Sequence, residues 1–96
     1  MTEENLSFLE ADFEILDKLG KGGMGQVFKA RQKSLDRLVA IKVLPLTLCK
    51  NEEFIGRFKR EARLAGKFYH PNAIQVFDIG EHKGQYYYIM EFVDGG

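Results

Sequence analysis

The chain has 96 residues, room for one small domain that buries only about 60–65% of its unfolded surface. Apolar residues make up 45%, enough for one core, and 14 Lys and Arg balance 14 Asp and Glu, so no global charge draws it to nucleic acid or to an anionic membrane. A lone Cys49 excludes an internal disulfide, no apolar run approaches the ~20 residues that cross a bilayer, and the acidic start (Glu3, Glu4, Glu10) is not a secretory signal.

Residues 1–12 read as a polar lead-in, docked through Leu6, Phe8 and Leu9, ahead of one domain over 13–96. Residues 13–19 and 26–31 are expected strands, joined as a hairpin by the glycine-rich turn 20–25. A second polar turn, 32–37, leads to an apolar, β-branched strand at 38–44, ended by Pro45. The period then changes. Phe54, Phe58, Ala62 and Ala65, with Ile55 and Leu64, recur at helical spacing over 51–68. Asn51 is the expected N-cap, and Glu52 and Glu53 suit the first turn. Pro71 disfavours helix at His70. Strands at 73–79 and 86–93 follow, around a turn containing Gly80 and Gly84. The fold class is therefore α+β, a five-stranded antiparallel sheet with one main helix.

Gly20, Gly22 and Gly25 form G-x-G-x-x-G, which alone fits a hairpin turn with no ligand as well as a phosphate site. A dinucleotide-binding fold needs a helix to open after the glycines, but residues 26–31 alternate like a strand. A P-loop needs Gly-Lys-Ser/Thr, and Gly25-Gln26 stands there instead. What remains is a flap between two strands, whose backbone N–H groups can approach phosphates closely.

Lys42 lies in the apolar strand, on one face with Ala40, while Val39, Ile41 and Val43 share the other. The plain reading is an edge-strand lysine reaching for water. The functional reading is a cation facing a phosphate pocket, beside a small Ala40 that leaves room for something flat. A desolvated lysine needs an anionic partner, and Glu61, on or beside the helix stripe, is the candidate. The competing reading for Glu61 is a surface pair with Arg57. Arg57, Lys59, Arg60, Arg63 and Lys67 read as a solvated helix face, Cys49 as an ordinary thiol, and Tyr86, Tyr87 and Tyr88 as strand packing.

Taken in order, Gly20-x-Gly22-x-x-Gly25-x-Val27 and Val39-Ala40-Ile41-Lys42 resemble the first two signatures of protein kinases. Phe58-Lys59-Arg60-Glu61-Ala62 resembles the helix carrying the lysine's partner, His70-Pro71-Asn72 the tripeptide after it, and residues 88–93 the strand entering the hinge. The Gly-Gly-Met-Gly of the loop is more similar to bacterial serine/threonine kinases. The resemblance implies a kinase N-terminal lobe that binds ATP. Catalytic roles would fall to Lys42, on the α- and β-phosphates, and to Glu61, paired with it. Leu19, Gly20, Gly22, Gly25, Val27 and Ala40 would surround the nucleotide from above. Met90 would stand at the back of the adenine pocket, and the backbone of Glu91 and Val93 would meet the adenine edge.

The 96 residues contain neither the family's His-Arg-Asp loop nor its Asp-Phe-Gly metal motif. By resemblance these lie downstream of Gly96 in a larger helical lobe, together with the ligands of Mg2+, and no metal ligand is assigned here. The chain alone is expected to be inactive. One function is the ATP-binding half of a serine/threonine kinase acting on a protein substrate. The alternative is a non-catalytic kinase-like module that binds nucleotide or a partner, including a lobe that works alone. Further expectations are self-association through the apolar face left by the missing lobe, no nucleic-acid partner, and a cytoplasmic location, free or beneath a membrane-anchored parent.

Overall fold

The computed structural model describes residues 6–22, 25–67 and 75–92, with backbone alone at 21–22 and 65–67. A short 3-10 helix, Ser7–Leu9, precedes strands β1 (Phe13–Gly22), β2 (Gly25–Gln32) and β3 (Arg37–Val43). Helix α1 (Glu52–Lys67) follows, then β4 (Val76–His82) and β5 (Gln85–Glu91). The sheet runs in the order β1-β2-β3-β5-β4, every neighbouring pair antiparallel. This is the expected class, with β3 and β5 in the middle and α1 crossing from β3 to the edge strand β4.

Three boundaries differ from the sequence expectation. Residues 20–25 are not all turn, because β1 runs to Gly22 and pairs it with Gly25. The two glycine-rich arms therefore continue the ladder, and the tip, residues 23–24, lies outside the described residues. The second turn is tighter than 32–37: Gln32 pairs with Arg37, and Asp36 closes it at φ 49, a left-handed angle that Asp accepts better than most residues. Gly80 lies within β4 opposite Tyr87, whose hydroxyl would stand 2.6 Å from any Cβ there. The β4–β5 turn is instead Lys83–Gly84, both at positive φ and flanked by the His82–Gln85 pair, as a primed two-residue hairpin turn requires.

Alternation along β3 divides the core in two. Val39, Ile41 and Val43 are fully buried on one face with Phe28, Ala30 and Ile89. The lead-in closes this layer: Leu9 is 3% exposed, Leu6 and Phe8 pack beside it, and the Phe8 ring stacks on His82 at 4.6 Å. The other face receives α1, with Phe58 and Ala62 buried against Leu44 and Tyr88. Leu64, expected on the buried stripe, is 50% exposed, and the side chain of Ala65 is not described. The helix begins as its sequence suggests. Asn51 Oδ1 accepts the Glu53 N–H at 2.9 Å, and the first helical bond runs from Ile55 to the Asn51 carbonyl. Leu44 still donates to Tyr86 beyond β3 before Pro45, which has no N–H, turns the chain away.

Candidate functional site

Directly opposed residues in antiparallel strands project to the same side of a sheet. Val27 opposes Lys42, Lys42 opposes Tyr88, and Ala40 opposes Met90. Gly20 opposes Val27 at the start of the hairpin. Five of the sequence-nominated positions (Gly20, Val27, Ala40, Lys42 and Met90) therefore share the sheet face on which α1 packs. Strand register alone brings these positions together.

Lys42 is central rather than on an edge, and only 6% of it is exposed, which removes the edge-strand reading. Its Nζ donates to Glu61 Oε1 of α1. Arg57, the competing partner for Glu61, reaches Glu53 instead, at 3.6 Å. One carboxylate thus meets the lysine head within a mostly apolar layer, the partner that a desolvated cation requires. Burial pushes the Glu61 carboxyl up, but hydrogen bonds from Lys42 and Tyr88, with the Lys42 charge, bring it below its ordinary value.

Gly25 is required by close approach. A Cβ there would lie 2.9 Å from the Val43 carbonyl oxygen and 3.0 Å from both Cγ and Cε of Lys42. The third glycine of the motif lets the β2 backbone press onto the lysine stem. Gly20 sits at φ +124, beside a bulge between Lys18 and Gly20, where the chain needs a residue without Cβ. Leu19 is the extra residue of that bulge and is 46% exposed, at the rim rather than inside the site. Gly22 is placed through its pairing with Gly25.

At the hinge end, the Glu91 N–H donates to the Gln75 carbonyl at 2.8 Å, so only its carbonyl could serve a ligand. Phe92 follows, with Lys29 Nζ 5.0 Å from its ring centre. Val93 and the His70-Pro71-Asn72 tripeptide lie outside the described residues.

One site residue escaped the sequence reading. The Tyr88 hydroxyl donates to Glu61 Oε1 at 2.5 Å, the same oxygen that Lys42 meets. Three adjacent tyrosines look like strand filler. The cross-strand pairing with Lys42 is what sets Tyr88 apart, and no local pattern carries that information.

Residues 13–96 match the family model described as the protein kinase domain. The chain belongs to the protein kinase family. It is 45% identical over 83 residues to serine/threonine-protein kinase PrkC of Bacillus subtilis, covering 86% of this chain and 13% of that kinase. It is 49% identical over 78 residues to serine/threonine-protein kinase pkn3 of Myxococcus xanthus, covering 80% and 14%. Among solved structures, the Mycobacterium tuberculosis PknI kinase domain superposes with a TM-score of 0.67 at 33% identity, over 88% of this chain and 34% of that one. The chain therefore spans about a seventh of the curated kinases it matches, and its layout is that of a kinase N-terminal lobe.

The donors present suit a polyphosphate nucleotide. A cation lines the face, a glycine-only backbone approaches it, and an apolar roof of Val27 and Ala40 stands beside it. Among the described residues no group of three or more His, Cys, Asp or Glu stands together as a metal would need.

Proposed function

We propose that this chain is the ATP-binding lobe of a serine/threonine protein kinase. The observation that carries the reading is the pairing of buried Lys42 with half-buried Glu61, beside a hairpin strand whose Gly25 has no room for a side chain. ATP would supply the transferable phosphoryl group. Lys42 would hold the α- and β-phosphates, and Glu61 would keep the lysine aimed. The backbone around Gly20, Gly22 and Gly25 would donate N–H groups to phosphate oxygens. Ala40 and Val27 together would cover the adenine ring, Met90 would close its rear, and the Glu91 carbonyl with Val93 would meet its edge. These are positioning and charge-stabilising tasks. The general base and the Mg2+ ligands belong to sequence beyond Gly96, so the 96 residues alone transfer no phosphate. Exposed Leu64 and Ile79 fit a surface that another lobe, or a second copy, covers.

The test is phosphoryl transfer from labelled ATP to a protein substrate, by the natural gene product and by the 96-residue chain. The expected result is transfer by the former, abolished by Lys42→Ala, and none by the latter. A natural product that binds ATP without transferring it would favour a non-catalytic nucleotide-binding module instead, and transfer by the 96 residues would overturn the division of labour.

A further inference from the structure

Tyr88 offers two contacts to one helix. Its ring packs against Phe58 at 5.0 Å between centres, tilted by 48°, and its hydroxyl reaches Glu61, one helical turn further on. The residue is 4% exposed, and it stands opposite Lys42 on the central strand pair. Burying the ring needs only a phenylalanine. A buried hydroxyl is costly unless it is bonded, and here it is spent on the carboxylate that Lys42 already meets. Hydrogen bonds to a charged acceptor are the strong ones.

Resting on the ATP-lobe reading, we propose that Tyr88 is a positioning residue, a latch that holds α1 against the sheet and keeps Glu61 aimed at Lys42. Lys42 is long and flexible, so a lysine–carboxylate contact alone lets the helix drift while the ions stay loosely paired. The phenol is rigid and anchored in the middle of the sheet. It fixes where the carboxylate stands, and through it where the lysine head lies above the nucleotide face. Releasing the helix then requires breaking both bonds at one oxygen, which makes the inward position of α1 the resting state of this lobe. Among the described residues, the groups acting on Glu61 are Lys42 of β3 and Tyr88 of β5. Arg57 on its own helix turns to Glu53.

The experiment uses the 96-residue chain, as wild type and as Tyr88→Phe, each also in a Glu61→Ala background. Carbon-detected NMR follows the Glu61 carboxyl through acid titration, and hydrogen exchange follows the α1 amides. Tyr88→Phe should move the Glu61 midpoint to higher pH and speed α1 exchange about tenfold, the scale of one bond to a charged group. With Glu61→Ala already present, Tyr88→Phe should change exchange little, because the latch has lost its other half. An unmoved midpoint, or equal exchange effects in both backgrounds, reduces Tyr88 to packing and overturns the proposal. If Tyr88→Phe does not fold, the wild type still decides: a slowly exchanging Tyr88 hydroxyl proton close to α1 supports the latch, and a fast-exchanging one overturns it. None of these readouts needs nucleotide. ATP affinity measured alongside therefore tests the ATP reading separately from the latch.

Discussion

Gly25 lies so close to Lys42 that a methyl group at position 25 would stand 3.0 Å from two carbons of the lysine side chain. The lysine could shift, but the Val43 carbonyl oxygen, 2.9 Å from the same point, is backbone in a central strand and cannot shift cheaply. Gly25→Ala should therefore push β2 away from β3 at the mouth of the site. We expect a stability loss of about 1–3 kcal/mol, as for other overpacked positions, and weaker nucleotide binding. Urea unfolding and calorimetric titration with ATP would measure the two effects.

The depressed Glu61 carboxyl makes a signed prediction. Its folded value lies below the ordinary 4.5, so the stability it contributes is fully present above that pH and is lost as pH falls through the lower, folded value. Comparing urea midpoints of wild type and Glu61→Gln from neutral to strongly acidic pH isolates this part. The gap between the two should be constant down to about 4.5, the ordinary carboxylate range, and should shrink below it. A gap that grows on acidification contradicts the ion pair.

Much of this was legible in the chain. Lys42 and Glu61 announce themselves, one a lysine in an apolar strand and the other an acid beside a helical stripe, and Asn51 caps the helix its position implies. Local periodicity carries such information. What it does not carry is register. The β1 bulge that moves Leu19 to the rim, the strand pairing that extends to Gly22, and the Lys42–Tyr88 opposition are all set by which residue faces which across the sheet. Leu64, expected on the apolar stripe, lies to its side because the stripe is narrow and Ile55, Phe58 and Ala62 fill it.

The lead-in is part of the fold. Leu9 is nearly fully buried over the face of the sheet opposite α1. Leu9→Ala should cost about 2–5 kcal/mol, a large share of what so small a domain has to lose. Removing residues 1–12 should expose Val39, Ile41 and Val43 and lower the melting temperature further. Thermal unfolding of the two variants checks the order.

Phe58 couples the helix to the sheet through the Tyr88 ring and is itself fully buried. Phe58→Ala should cost about 3–5 kcal/mol. It should also loosen α1 more than the strands, which amide exchange would show as faster exchange across the helix than in β2 and β3.

The most direct measurement is an amide-shift map of the labelled 96-residue chain on titration with millimolar Mg-ATP. The account predicts shifts concentrated at Gly20, Gly25, Val27, Ala40, Lys42 and Met90, and their loss in Lys42→Ala. Shifts confined to the basic face of α1 around Lys59 and Arg63, or none at all, would contradict an ATP-binding lobe.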